Sequence, residues 1–467
     1  MSYLAELDPD SLLAPLQAAS FTYPITLGPR ASLKGLILIE SGEPSPNSAR
    51  LAAMDFLSGR EYRRPSGKRW FEISILSMVS EIDPFCEEYI RDPYPFHAQL
   101  REAGPIVWLS RYEVWSVFRY QEVSSILQDW KTYSSGAGVG LANFRKEKPW
   151  RTPSLLLEAD PPNHTRCRAV MSKVLTAENV RRYRAEFERE AARLVPTLLD
   201  RALDGVRDVA EPYVMKVFPD AVGLAEEGRR NIGTYGGMNF NSLGPRNRIF
   251  LDATRNEAEI KEWVTRHCRR DHIVPNGLAG QIYEAADAGE VTQDEAQLLV
   301  RSFFSAGIDT TVDALGNALH CFATYPAQWE KMARDPGLSR RGVEEALRFE
   351  SPFQTFFRTA TRETELAGSR IKEDDKIMVC VGSANRDPRR WQDPDSFDIE
   401  RRNAGQMSFG GGIHTCVGQI IARLESEVLL TELAKRAKRV ELNGKAEPKI
   451  HNTLRGFAHL PVTLHSR

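Results

Sequence analysis

The sequence predicts a mainly α-helical protein with small β-sheets, and three observations carry that prediction. Apolar residues recur at spacings of three and four over 174–203, 292–325 and 417–438, which is the period of an amphipathic helix. The β-like runs between them are short: Ile106 to Leu109, Val114 to Phe118, Ile377 to Val381 and Leu460 to Leu464. No internal repeat or low-complexity segment interrupts this alternation.

Residues 1–80 carry Pro, Gly and Ser without a sustained period, and composition changes at Met78. Two readings stay open there: an N-terminal extension of unknown role, or residues that precede a start at Met78. Residues 81–467 are expected to form the main domain. With 467 residues, 42% of them hydrophobic, the chain can bury a large core.

Lys and Arg number 62 against 63 Asp and Glu, a net charge of -1, so no global field points to nucleic acid or an anionic membrane as partner. The apolar run Leu33 to Ile39 is short and broken by Lys34 and Gly35, which predicts neither signal peptide nor membrane anchor. Six cysteines lie far apart with no CxxC pair, as suits a reducing cytoplasm.

One cysteine stands in a special setting. Ser408-Phe409-Gly410-Gly411-Gly412-Ile413-His414-Thr415-Cys416-Val417-Gly418 surrounds Cys416 with glycines and leads directly into an amphipathic run. Glycines let a backbone approach a flat ligand, and the N-terminus of a following helix favours thiolate over thiol. An isolated cysteine beside a glycine turn is more often a buried structural thiol. Here the spacing Phe409-x-x-Gly412-x-x-x-Cys416-x-Gly418 resembles the haem-binding motif of the cytochrome P450 family, and the resemblance extends from about residue 82 to the end.

That resemblance implies the family's triangular helical prism enclosing haem b. Cys416 would be the thiolate ligand of the iron, with Phe409 and Gly410 in the cofactor-binding loop. A thiolate ligand pushes electron density onto iron and favours O–O cleavage. Glu345 and Arg348, three apart on one helix face, match the family's ExxR pair, and Arg401 in Phe397-Asp398-Ile399-Glu400-Arg401 matches the arginine that joins it. These three are expected to be structural. The two haem propionates call for cations or imidazoles, and His164, Arg168, Arg358 and His414 stand at the family's positions.

Within 292–325, Gly307 costs helix stability of roughly 1 kcal/mol relative to Ala, so something should offset it. Thr hydroxyls bonded to a preceding carbonyl, beside a missing side chain, would open the helix locally. Ala306-Gly307-Ile308-Asp309-Thr310-Thr311 resembles the family's acid-alcohol pair. The resemblance gives Thr310 the task of holding dioxygen and water, and Asp309 that of passing protons inward. Three classes of function therefore stand side by side: a monooxygenase, a peroxide-driven haem-thiolate enzyme, and a non-catalytic haem sensor. The Asp309–Thr310 pair favours the first over the second, and no attached signalling module supports the third. Soluble bacterial members take electrons from an iron-sulfur ferredoxin with its NAD(P)H-dependent reductase, and the same partner is expected here, docked on the Cys416 side through Lys and Arg.

Longer stretches, among them GVGLANFRKEKPWRTPSLLLEADPPNHTR, QLLVRSFFSAGIDTT and FESPFQTFFRTATRE, resemble the bacterial subfamily that hydroxylates or O-demethylates para-substituted benzoic acids. The resemblance assigns Ser302, Ser305, Ala306, Phe240, Leu243 and Phe356 to the substrate pocket. It also exposes a departure. Where the subfamily carries an arginine that neutralises the carboxylate and a serine five residues on, this chain has Ala137 and Ala142. A buried carboxylate without a cation is costly by several kcal/mol. A neutral phenol, aryl methyl ether or aldehyde is therefore expected in place of a benzoate. The alternative is a benzoate neutralised by a substitute cation, Arg301 or the pair Arg145-Lys146.

Overall fold

The apolar periods become helices wherever the backbone allows, and two of the three longest are interrupted. The computed structural model describes residues 78–467, so the N-terminal 1–77 lie outside the described residues. Over 174–203 the helical period is realised in several pieces. Helix α1, Asn163–Val174, ends as the segment begins. A short helix Ala177–Arg181 follows, started by Thr176, whose hydroxyl accepts from the Asn179 amide. Helix α2, Arg184–Leu194, passes into a 3-10 turn at Val195–Leu198 containing Pro196, which has no N–H to continue the α-ladder.

Farther along come α3, Glu211–Val222, and α4, Ile232–Asn241. The expected 292–325 helix is two helices, α5, Gln293–Ala306, and α6, Asp309–Thr324, parted at Gly307–Ile308. Thr292 and Glu295 start α5 with a reciprocal capping box. Helix α7 is Ser339–Glu350, and α8, Gln419–Arg436, realises the third period.

One sheet sets Val107–Leu109 (β1), Val114–Val117 (β2), Lys376–Cys380, Thr355–Ala360 and Tyr133–Ser134 (β3) side by side. The strand Ala202–Asp204 (β4) belongs to a second sheet, so Thr355–Ala360 is β5 and Lys376–Cys380 is β6. Strand β6 runs parallel to β2 and antiparallel to β5, with Arg358 opposite Ile377. Side chains alternate across a strand, so Phe356 and Arg358 share one face of β5 while Phe357 and Thr359 share the other. In the second sheet Ala437–Leu442 pairs with Pro461–Ser466, which pairs with β4.

The main core gathers Phe187 of α2, Tyr213 of α3, Phe304 of α5, Phe322 of α6 and Leu429 of α8, all buried. Each large side chain so buried contributes roughly 1.5–3 kcal/mol. These helices hold the two chemically distinctive segments, the Gly307 break and the Cys416 turn, in one body that starts at Ser80. Among the described residues, no helix is long and apolar enough to cross a membrane.

Candidate active site

The turn before α8 is shaped by backbone that only glycine accepts easily. Gly410 and Gly412 have φ of 71° and 64°, and a Cβ on Gly412 would stand 2.2 Å from the Leu127 carbonyl oxygen. The Cys416 amide donates to Phe409 O at 2.8 Å, which closes the turn. Of the six cysteines, Cys416 alone is exposed; Cys167, Cys268, Cys321 and Cys380 are buried. Cys380 packs its sulfur 3.4 Å from His97 Nε2 inside the sheet and is pushed up to about 12 by burial, which marks it as a structural thiol. Burial also raises the Cys416 thiol, opposed by the Gly418 amide, by Arg168 and Arg423, and by the Gln419 amide at the start of α8.

Three of the four expected propionate partners, His164, Arg168 and His414, gather at this turn, and Arg358 stands on strand β5. His164 of α1 packs on His414, ring centroids 4.5 Å apart, and both Nε2 atoms are buried without a hydrogen-bond partner. His414 Nδ1 lies 3.1 Å from Leu156 O, and Arg168 donates to Thr415 O at 2.6 Å. Burial, then His414 and Arg168, push His164 down to about 4. Arg358 is buried and donates to its own neighbour Phe357 O at 2.9 Å, and burial lowers it to about 10 with Asp160 opposing. Asp160 is a residue that pattern alone did not single out. Burial raises its carboxyl, but His414, the Ser134 hydroxyl and the Ser135 and Gly136 amides bring it down to about 2.

At the α5–α6 junction, Gly307 has a packing reason. A Cβ there would come 2.0 Å from the Phe218 ring, so the aromatic occupies the space that a side chain would need. Thr310 Oγ1 donates back to Ala306 O at 2.9 Å and Thr311 Oγ1 to Gly307 O at 3.3 Å, the back-bonding that loosens a helix. Burial pushes the Asp309 carboxyl up to about 7, with Lys449 opposing and Asp313 and Glu211 assisting.

The expected pocket residues divide. Ser302 and Ser305 donate weakly to Leu298 O and Ser302 O, at 3.3 and 3.2 Å. Phe240 and Leu243 are buried in one apolar cluster with Val139, Phe353 and Leu454, and Phe356 packs against it, its ring stacked on Phe353 at 4.0 Å. Leu243 also lines a cavity of about 200 Å³ together with Ala142, Phe144 and Phe250. Ala142 faces that cavity; Ala137 does not line it and is 2% exposed.

Glu345 and Arg348 are wholly buried and joined by two bonds of 2.8 Å, and Arg401 Nε reaches Glu345 Oε1 at 3.1 Å. The three residues meet, with the Asp398 amide as a further donor to Glu345.

The pattern of the cytochrome P450 family matches residues 338–464. A protein named cytochrome p450 CYP199A2, from Rhodopseudomonas palustris, is 49% identical over 385 residues, 82% of this chain and 93% of that one. The chain belongs to the cytochrome P450 family. An erythromycin C-12 hydroxylase from Saccharopolyspora erythraea is 30% identical over 78% of this P450 and 92% of its own length. Among solved structures, P450 CREJ in complex with (4-ethylphenyl) dihydrogen phosphate has a TM-score of 0.74 at 25% identity, covering 82% of this chain and 99% of that one.

The chain is therefore a P450 monooxygenase, and its cofactor is haem b. The residues present fit that group. Haem brings two carboxylates, and the buried His164 Nε2, which has no hydrogen-bond partner, and Arg358, which among the described residues has no carboxylate in salt-bridge contact, are donors of the kind those carboxylates would need. Two further polar residues have no signal in local pattern. Lys449 bonds Asp313 across 136 positions of sequence. Lys376 donates to Gly138 O at 2.7 Å, and burial, then Arg358, push it down to about 7.

Proposed function

We propose that this P450 uses O2 and electrons from an iron-sulfur ferredoxin and its NAD(P)H-dependent reductase to hydroxylate or O-demethylate a small, neutral, para-substituted aromatic compound. When bound, haem would supply the oxidising chemistry, and Cys416 would hold it as a thiolate. His164, His414, Arg168 and Arg358 would hold its propionates. Asp309, poised near neutral pH, takes up protons from the protein side and passes them toward the Thr310 hydroxyl. Thr310 orients that proton at its Oγ1, which its bond to Ala306 O keeps in place. Arg423, stacked over Phe409 at 4.3 Å, belongs to the Cys416 side on which an acidic donor protein would dock.

The observation that carries the choice of a neutral substrate is the loop at Ala137. Two of the candidate substitute cations, Arg145 and Arg301, already have other partners. Arg145 pairs with Asp374 at 2.7 Å, and Arg301 donates to the carbonyls of Thr152 and Pro153, both at 3.1 Å. Lys376 has a depressed pKa and is tied to Gly138 O. A carboxylate entering at Ala137 would need one of these cations to leave its partner, or Lys146 to swing in, whereas a hydroxyl or methoxy group needs one or two hydrogen bonds, of the kind that a serine such as Ser302 supplies.

Optical titration of the purified ferric enzyme tests this. Neutral 4-methoxy aromatics should bind more tightly than 4-methoxybenzoate, and Ala137→Arg should move preference toward the acid by roughly 1–3 kcal/mol, the scale of a charge-assisted hydrogen bond. Tighter binding of 4-methoxybenzoate by the unmodified enzyme would show that Arg301 or another cation leaves its present partner, and the neutral-substrate reading would fall.

A further inference from the structure

Behind Asp309 lies a charge cluster assembled from separate parts of the chain. Helix α4 meets the carboxyl with glycines: a Cβ on Gly233, Gly236 or Gly237 would stand 3.6 Å from Oδ1, 2.7 Å from Oδ2 and 3.7 Å from Oδ2 respectively. One turn along α6 from Asp309, Asp313 is 2% exposed. Lys449 donates to both of its oxygens, at 3.3 and 3.2 Å. Gly456 completes the enclosure, since a Cβ there would come 2.2 Å from Asp313 Oδ1. Glu211, exposed at the start of α3, adds a negative charge. His451 is buried with Nε2 unpartnered, and burial and Lys449 both keep its ring neutral.

Two carboxyls one helical turn apart in a poorly solvated site cannot both ionise without a cation between them. Lys449, bonded to Asp313 and acting on Asp309 through its charge, supplies that cation. Burial works against its charge, but Asp313 and Asp309 outweigh burial and hold it protonated. Its side chain keeps 29% of its surface exposed, so it links the enclosed acids to solvent.

We propose that Lys449, anchored by Asp313, is the positioning residue that sets the charge of Asp309 and thereby the pH at which Asp309 hands protons inward. This rests on the reading of Asp309 as the acid of the acid-alcohol pair. The two partners act on Asp309 with opposite sign. Removing the cation in Lys449→Met disfavours the carboxylate, so Asp309 stays protonated to higher pH. Removing the neighbouring negative charge in Asp313→Asn favours the carboxylate and frees the full charge of Lys449, so Asp309 ionises at lower pH. Simple loosening of the region would move both variants the same way.

The test is a pH titration of the haem-loaded ferric enzyme, without turnover, followed in the infrared at the protonated-carboxyl stretch that disappears in Asp309→Asn. The unmodified enzyme should titrate with a midpoint near 7. Lys449→Met should raise the midpoint by roughly one pH unit, Asp313→Asn should lower it by a similar amount, and Lys449→Arg should restore it. The pH profile of product formed per NADH should follow the same order. Midpoints that shift together, or that stay fixed in both variants while the Asp309 band titrates, overturn the role of Lys449. If Asp309→Asn removes no titrating band and leaves coupling unchanged, the reading of Asp309 itself fails.

Discussion

Replacing Arg348 by lysine keeps the charge and discards the fork. Arg348 makes five hydrogen bonds: two to Glu345, and one each to the carbonyls of Asn385, Pro394 and Ser396. An ammonium has three donors on one atom, so at least two of the five are lost, in a place with no exposed surface for water to replace them. At roughly 1.5 kcal/mol for each hydrogen bond to a charged group, Arg348→Lys should cost about 3 kcal/mol. That is a large part of a typical domain's stability of about 5–15 kcal/mol. The exposed pair Arg266–Glu262 provides the control, because a surface pair at i,i+4 contributes only about 0.3–0.5 kcal/mol. Urea unfolding followed by far-ultraviolet circular dichroism, at fixed haem loading, measures both variants. A loss under about 1 kcal/mol for Arg348→Lys would mean that the buried network is not cooperative with the fold, and the structural role of the three residues would be refuted.

Cys416→Ala should abolish the red-shifted band of the ferrous carbon monoxide complex, whereas Cys380→Ala should keep it; the reverse result would move the ligand to the sheet. Thr310→Ala should leave substrate binding and reduction intact while product formed per NADH falls several-fold and hydrogen peroxide rises, since positioned proton transfer contributes about 10²–10⁴-fold and water replaces it only in part. Unchanged coupling would remove Thr310 from proton delivery, and loss of haem would give it a structural role instead.

What the sequence by itself determined is what local spacing encodes. The glycines around Cys416, the three-residue spacing of Glu345 and Arg348, and the sequence Ala306 to Thr311 are each visible within a single turn or helix, and the roles read from them are those that the family resemblance implies. The loss of regularity at Gly307 was legible there as well. Periodicity alone overran the helix ends at 174–203 and 292–325, because an apolar period does not register where Thr176 caps a helix or where the backbone parts at Gly307–Ile308.

Only the tertiary structure decided which side chains share a site across long separations. Phe218 fills the space beside Gly307, Asp160 braces His414 and the Ser134–Gly136 turn, Arg145 is drawn off to Asp374, and Lys449 neutralises Asp313. Lys449 in particular reads along the chain as one basic residue in a polar stretch. Its importance comes from burial, because the lower effective dielectric around Asp309 and Asp313 turns a charge that water would screen into one that sets whether its neighbours are ionised.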